Sequence, residues 1–452
     1  MVLDYEIDST EAIKVEAANP TDEPDITLQW VKEKAQTGHE LFREFRNKAE
    51  ELDDFYLNNF DFSVPENGTL IRLGTAQSVI NTLVAHVSPQ FLDISVPPPG
   101  ARGQARAELM EKFLTGAHHM VEQRTPVYRE ITKHAGLYGI AWEKIEFTAN
   151  EWSDFPEAPP HEEEASAEYR EQVREVLDKR SVSWPIKSVA VNPQNLIWDL
   201  NNGTQPRWVI YEYQVDAEWV QAHFPEWNVH KKGYVTFQEV WTASQVGYLA
   251  DDKWVLEPRR HGYGKLPWIM YWPQMGLDTG NSEPETLYMG LLNGSIDMLR
   301  AQSQLASHYI DIVGKSAWPT LEFTGPPGIT EEVQAAWDDT PGAKNIKPPQ
   351  VNVNASDTPR PPSEIGIAKQ FLDEAIEANT VPAVARGQRP MGAASGYHTA
   401  VLAGIASLNF GAVKEAMERG LQEKGELVLR IVEHVIDDKL TVFGKTEAGV
   451  LD

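Results

Sequence analysis

The amino-acid sequence predicts an α+β protein, mainly helical, and three observations carry that prediction. Long stretches place apolar residues at three- and four-residue steps, which marks one buried face of a helix. The block from Val189 to Trp272 instead alternates apolar and polar residues at the strand period, and it holds Trp198, Trp208, Trp219, Trp227, Trp241, Trp254, Trp268 and Trp272. The composition, 41% hydrophobic and 24% charged over 452 residues, is too apolar for a disordered chain and suffices for roughly two to four domain-sized units.

Taken in order, residues 1–24 read as an acidic flexible arm. They lack the basic start and apolar core of a signal peptide. From Asp25 to Phe60, the residues Leu28, Val31, Ala35, Phe42, Phe45, Ala49, Leu52 and Tyr56 keep helical spacing and predict one long amphipathic helix. Helices are predicted over 69–90 and 101–139, separated by the strand-like FLDISV and the break PPPG. Gly136 to Ala149 alternates and predicts a strand. Residues 150–180 turn acidic and proline-rich, an exposed insertion with one solvated helix. Within it His161 and Glu162–Glu164 offer metal ligands, but no further His or Asp at i+3 or i+4 completes a set.

The tryptophans of 189–272 read as core of short strands rather than as exposed platforms for sugars or bases. A long helix is predicted over 283–315, with Ser282 as N-cap and Glu285 at capping-box distance. Its spaced apolar residues include Tyr288, Leu292, Ile296, Leu299, Ala306, Tyr309 and Val313. Short strands and Pro-Gly turns follow over 316–361. Ser363 to Asn379 predicts a helix with Ile365, Ala368, Phe371, Leu372 and Ile376 on one face. A last helix is predicted over Thr399 to Ile436. Its Ala403, Gly404, Ala406, Gly411, Ala412, Gly420 and Gly425 permit close packing, within one subunit or between neighbours.

Between those last two helices lies EANTVPAVARGQRPMGAASGYHTA. Pro382, Gly387, Pro390, Gly392 and Gly396 forbid a continuous helix there. A connector between packed helices needs about two to eight residues, and this one uses about seventeen. It carries Val384, Arg386, Gln388, Arg389 and Met391 and almost no acid.

The composition also excludes several functions. With no cysteine the chain forms neither a disulfide framework nor a thiolate metal site. No apolar run reaches bilayer length, so a soluble protein without membrane contact is expected. A net charge of −27 argues against gripping nucleic acid over the whole surface.

No motif specifies an enzyme. Gly314-Lys315-Ser316 and Gly444-Lys445-Thr446 lack the earlier glycine of a phosphate loop, having Tyr309 and Lys439 there. Gly392-Ala393-Ala394-Ser395-Gly396 displaces its serine by one from a nucleophile elbow. His118, His119 and His398 have no paired carboxylate pattern. Asp251-Asp252 reads as a hairpin turn.

The order of elements, with FLDEAIEANTVPAVARGQRPMGAASGYHTAVLAGIA and KHAGLYGIAWEKIEF, resembles the portal protein (head-to-tail connector) of tailed double-stranded DNA bacteriophages. The resemblance spans roughly residues 25–440. It implies a phage portal fold with 25–282 as wing, 283–315 as stem helix and 316–361 as clip. It further implies 362–379 as second stem helix, 380–398 as tunnel loop, and 399–452 as long helix with a minimal or truncated crown.

The resemblance implies a non-enzymatic ring without cofactor or metal, usually of about twelve copies, at one capsid vertex of the virion. Double-stranded DNA would pass through it without sequence-specific binding during packaging, retention and ejection. Its partners would be a terminase, the major capsid or scaffolding protein and a tail adaptor, with assembly in the host cytoplasm. Val384, Arg386, Gln388, Arg389 and Met391 would face the channel, and Lys344 and Lys347 would lie on the clip face that docks motor or adaptor. The alternatives are another phage virion or tail-adaptor protein, and a carbohydrate-binding or hydrolytic protein using the Trp-rich region.

Overall fold

The computed structural model describes residues 24–65, 68–89, 94–98, 100, 103–124, 126–148, 166–200, 205–227, 232–280, 283–317, 321–337, 345, 347–355, 363–381 and 410–434. Their helices and antiparallel sheets form an α+β arrangement of two compact units. The first unit draws on residues within 24–53, 79–293 and 410–434. The second draws on residues within 54–78 and 294–381.

The first unit opens with α1 (Leu28–Leu41) and α2 (Arg43–Tyr56), whose last three residues belong to the second unit, where the sequence predicts one helix over 25–60. Thr27 caps α1, its hydroxyl accepting the Trp30 N–H. The break at Phe42 is shallow: the Phe42 N–H still reaches Gly38 O at 2.8 Å, and the Arg46 N–H reaches Phe42 O at 2.9 Å. Phe42 leaves helical geometry (φ −90°, ψ 4°) and lays its ring 4.3 Å from that of Trp198. The stripe Val31, Ala35, Phe42, Phe45, Ala49, Leu52 is buried through the break, with Phe55 in the place expected for Tyr56. Gly38 lies on the same stripe, and a Cβ there would fall 2.2 Å from Ile197 Cγ2.

Helix α3 (Thr75–Val87) starts six residues later than the sequence suggests, and Ile94–Val96 forms no strand. There the Val96 N–H donates to the Glu111 carboxylate at 2.8 Å. Helices α4 (Gln104–Arg124) and α5 (Val127–Tyr138) fill the next predicted region. The strand expected from Gly136 begins only at β1 (Ala141–Phe147), because Gly136–Tyr138 close α5. Gly139 then stops the helix at φ 72°, where a Cβ would lie 2.2 Å from Met289 O.

There follow α6 (Ala167–Ser183), β2 (Ile186–Val191), β3 (Leu196–Trp198), β4 (Trp208–Asp216), α7 (Ala217–His223), β5 (Tyr234–Thr242), β6 (Gln245–Ala250), β7 (Lys253–Arg260) and β8 (Trp268–Tyr271). The helix α6 lies in the predicted acidic insertion; His161 and Glu162–Glu164 fall outside the described residues. Two sheets result, β2-β1-β8 and β3-β4-β5-β6-β7. Asp251 and Asp252 hold φ of 46° and 63°, a two-residue hairpin turn between β6 and β7. Trp198, Trp208, Trp227, Trp241 and Trp268 are buried, Trp254 and Trp272 partly so, and of the eight only Trp219 is exposed.

The helix expected over 283–315 is interrupted. A single turn, α8 (Pro284–Leu287), is followed by a non-helical passage before α9 (Ile296–Ala317). Tyr288 and Leu292 owe their spacing to burial in the first unit rather than to a helix face. The Gly290 N–H donates to Asn293 Oδ1 at 2.8 Å, and a Gly290 Cβ would sit 1.8 Å from Leu137 O.

In the second unit, α9 is followed by β9 (Leu321–Thr324), α10 (Ile329–Ala335), β10 (Asn352–Ala355) and α11 (Ser363–Asn379). Helix α10 stands where the sequence suggests only strands and turns; Glu331 and Glu332 in its first turn favour it. The last described element, α12 (Gly411–His434), returns to the first unit and packs on β8. A Cβ at Gly420 would fall 2.2 Å from the Tyr271 ring, so this small residue serves packing within the chain. Residues 399–409 and 435–436 of the predicted helix lie outside the described residues. Among the described residues no helix is long and apolar enough to cross a membrane.

Candidate functional site

Helices α9 and α11 of the second unit pack together, and the chain between them forms a small separate module. One side of α9 binds an extended strip of the same unit. The N–H groups of Thr69, Ile71 and Leu73 donate to Asp311 Oδ1 (2.9 Å), Ser307 Oγ (2.9 Å) and Ser303 Oγ (3.2 Å). The periods match: four helical residues advance about 6 Å, close to two residues of extended chain. The predicted helix from residue 69 fails here because these side chains supply the partners that a helix would otherwise provide. Gln302 closes the register, accepting from the Thr75 hydroxyl at 2.9 Å and donating to Asp373 of α11 at 2.5 Å.

The other observation is exposed hydrocarbon. Tyr309, Ile310 and Val313 near the end of α9 are exposed, and so are Ile367 and Phe371 on α11, each 68% accessible. Ile367 and Phe371 lie one turn apart, on the side of α11 away from the buried Ile376. This corrects the sequence expectation, which sets Phe371 on the same face as Ile376. The helix period tolerates both assignments at its edge, and the packing of Ile376 and Asp373 decides it.

The module between the helices is small. Strands β9 and β10 pair antiparallel over Leu321–Thr324 and Asn352–Ala355, and α10 packs on β9. Among its described residues the interior holds Val333, Val351 and an edge-to-face contact of Phe323 with Trp337 at 5.3 Å. Lys347 is exposed on the segment leading into β10. Lys344 lies outside the described residues, as do Val384, Arg386, Gln388, Arg389 and Met391. Of the predicted site residues, the structure thus describes Lys347 alone.

A second candidate, missed at the sequence level, is a pair of buried charge clusters in the first unit. Strand alternation puts Glu143 and Lys144 of β1 on opposite faces. Lys424 of α12 reaches Glu143 Oε1 at 2.6 Å and Ser188 Oγ at 3.3 Å, and lies 4.4 Å over the Tyr128 ring. Tyr271 donates to Glu143 Oε2 at 2.5 Å, and the Ser188 hydroxyl donates to Oε1. Tyr128 pairs with Nδ1 of His118, whose pKa is lowered to about 3 by burial and by the Lys424 charge. Burial, then Glu143, pushes both tyrosines well above their usual range.

On the opposite face, Lys144 meets Glu239 at 2.5 Å and also Glu146. Burial opposes its charge, yet these carboxylates overcome it and raise its pKa. Glu239 also accepts from Tyr213 (2.9 Å) and Trp241 Nε1 (3.0 Å).

Such convergence of perturbed groups is a mark of active sites, but a site also needs room for a substrate. The cavity beside Lys424, lined by Leu114, His118, Trp184 and Val428 among others, is about 10 Å³, enough for one water. The Lys424 cluster therefore leaves no room for a substrate beside it. Among the described residues no group of three or more His, Asp or Glu is placed to hold a metal. Gly314 and Lys315 lie in the last turn of α9, not between a strand and a helix start.

No protein-family model matches the chain, and none of the curated proteins compared with it is similar beyond chance.

Proposed function

We propose that the chain is the repeating subunit of a phage portal ring, a non-enzymatic conduit for double-stranded DNA at a capsid vertex. The observation that supports this best is the exposed apolar set of the second unit: Ile367 and Phe371 on α11, and Tyr309, Ile310 and Val313 on α9. Burying a fully exposed side chain of this kind gains about 1.5–3 kcal/mol, and these, between 38% and 68% accessible, gain a corresponding part of it when a neighbouring copy covers them. The order of elements supports the reading: two packed helices bracket a small β/α module, as stem helices bracket a clip. Terminase or adaptor would dock on that module near Lys344 and Lys347. The loop carrying Val384, Arg386, Gln388, Arg389 and Met391 would face DNA, with the arginines making a few salt-sensitive phosphate contacts.

The net charge of −27 per chain supports passage without adhesion, because like charge repels DNA within a Debye length of about 8–10 Å. Native mass spectrometry with negative-stain imaging tests the reading. A closed ring with a central hole is expected, and a monomer at micromolar concentration refutes it. In such rings, Arg386→Ala with Arg389→Ala should leave assembly intact and alter DNA retention.

A further inference from the structure

We infer that the trough between α1 and the open part of the β4–β5 sheet face binds an uncharged carbohydrate, a short chain of sugar rings laid along the strands. The inference is independent of the proposed ring. Strand pairing sets Glu212 beside Gln238, Gln214 beside Thr236 and Asp216 beside Tyr234, three polar rungs on one face of the sheet. The same face holds Ile197 and Ile210, and α1 packs on it by fitting Gly38 against Ile197. Helix α1 thus covers the inner part of the face and reaches Glu212 with His39. Beside it lies a trough of about 450 Å³, lined by Lys32, Gln36, His39 and Glu40 of α1, Gln238 of β5 and Asp252 of the hairpin turn. That volume falls in the range of small-molecule sites, about 300–1,000 Å³. From Gln238 the rungs continue about 14 Å along β5 to Tyr234.

The polar groups of the trough are held in place. The Glu212 carboxylate accepts from Gln238 Nε2 at 2.5 Å and pairs with His39 Nε2 at 2.9 Å. Arg46, anchored on Gln194 O at 3.0 Å, donates to His39 Nδ1 at 2.7 Å, which leaves the ring proton on Nε2. Burial opposes the Glu212 charge, but the bonds from His39 and Gln238 and the nearby Arg46 hold its pKa below the usual carboxylate range.

The rim selects the class of ligand. Lys32 and Asp252 meet across the trough at 3.5 Å, and Glu40 adds a second acid. An anion therefore faces carboxylates and a cation faces Lys32. Hydroxyl groups, each both donor and acceptor, suit this mixture of carboxylate, amide and ammonium. At the open end Tyr234 is 72% exposed, and its ring offers a flat apolar surface on which the C–H face of a sugar stacks. Trp219 is exposed too, but it packs on Phe237 and so lies on the opposite face of the sheet.

Saturation-transfer NMR on the full chain tests the assignment, with maltotriose, cellotriose and tri-N-acetylchitotriose as neutral probes. Chitosan triose and trigalacturonate serve as the cationic and anionic ones. A ring and a monomer serve equally, since the trough lies within one unit of one chain. Binding of at least one neutral trisaccharide is expected, with the charged ones weaker. Tyr234→Ala and Gln36→Ala alter exposed side chains, so both variants keep their fold, and each should weaken that binding about ten-fold. Trp219→Ala, on the other face, should leave it unchanged. No transfer to any neutral trisaccharide overturns the assignment, as does tighter binding of a charged one. Binding that survives both Tyr234→Ala and Gln36→Ala, or that is lost in Trp219→Ala, overturns it as well.

Discussion

Lys424 of α12 and Phe371 of α11 lie on amphipathic helices, one in each unit, and their environments are exchanged. The charged residue is 1% exposed, and the aromatic one is 68% exposed. In the first unit a buried charge is tolerated because Glu143, Ser188, Tyr271 and Tyr128 complete its surroundings. In the second unit an apolar helix face is left in water. The difference teaches that a charge is buried only with its partners complete, while apolar side chains on α11 stay uncovered by the described residues of their own unit.

The largest effect should come from breaking the satisfied side of this contrast. Lys424→Ala leaves Glu143 charged and buried without its cation, a loss of about 3–5 kcal/mol in urea unfolding. Lys424→Met combined with Glu143→Leu removes both charges and should recover most of that loss. A cost below about 1 kcal/mol for Lys424→Ala would show that α12 does not depend on this pair.

Acid should loosen the same unit next. His118 and His134 are both depressed by burial, to about 3 and about 4. The folded state thus binds fewer protons than the unfolded one. The stability they contribute is fully present above the ordinary histidine pKa near 6.5, and it is lost as pH falls toward those lowered values. Each neutral histidine costs about 1.4 kcal/mol per pH unit in that window. The two histidines should therefore lower the unfolding free energy by about 2–3 kcal/mol between pH 7 and pH 5.5, an effect opposed in part by Glu122 and Glu423, whose pKa values burial raises. A flat profile over that interval would mean that both rings accept protons in the folded state.

A smaller loss tests the second unit. Ser307→Ala strips the acceptor from the Ile71 N–H and should cost about 1–2 kcal/mol, with Ser307→Thr retaining most of it. This ladder shows what the sequence conceals. Ser303, Ser307 and Asp311 are spaced by four, yet nothing in a local pattern tells that their partner is a strip more than 200 residues earlier. Residues 69–73 look helical for the same reason: their own propensities are permissive, and distant side chains decide.

What is legible follows local periodicity. The predicted helix Ser363–Asn379 matches α11 to the residue, and the Asp251-Asp252 turn follows from its turn chemistry. Lys424 leaves a readable trace, since it interrupts the run Val413, Met417, Gly420, Leu427, Ile431 on the buried face of α12. A lysine inside an apolar stripe signals a buried partner, though not which one. Pauses in helices are harder. The passage after Leu287 keeps apolar spacing because Tyr288 and Leu292 are buried, so the period persists where the helix does not. The tunnel-loop residues, Arg386 and Arg389 among them, and Lys344 lie outside the described residues. Their assignment rests on the family resemblance alone.

The smallest effect on stability should accompany the sharpest effect on assembly. Ile367→Ser with Phe371→Ser removes hydrocarbon that already faces water, so the isolated chain should change by no more than about 0.5 kcal/mol. Both side chains point away from Ile376, and no cavity forms when they are shortened. If a neighbouring copy covers them, each truncated side chain weakens the assembly by about 1.5–3 kcal/mol per subunit, an effect multiplied around a closed ring. Sedimentation of the double variant should then show monomers with an unchanged urea midpoint under conditions where the parent chain associates. A variant that assembles like its parent would place the completing surface elsewhere on the second unit. A variant that unfolds would show instead that these residues belong to its core, and the contrast with Lys424 would fall.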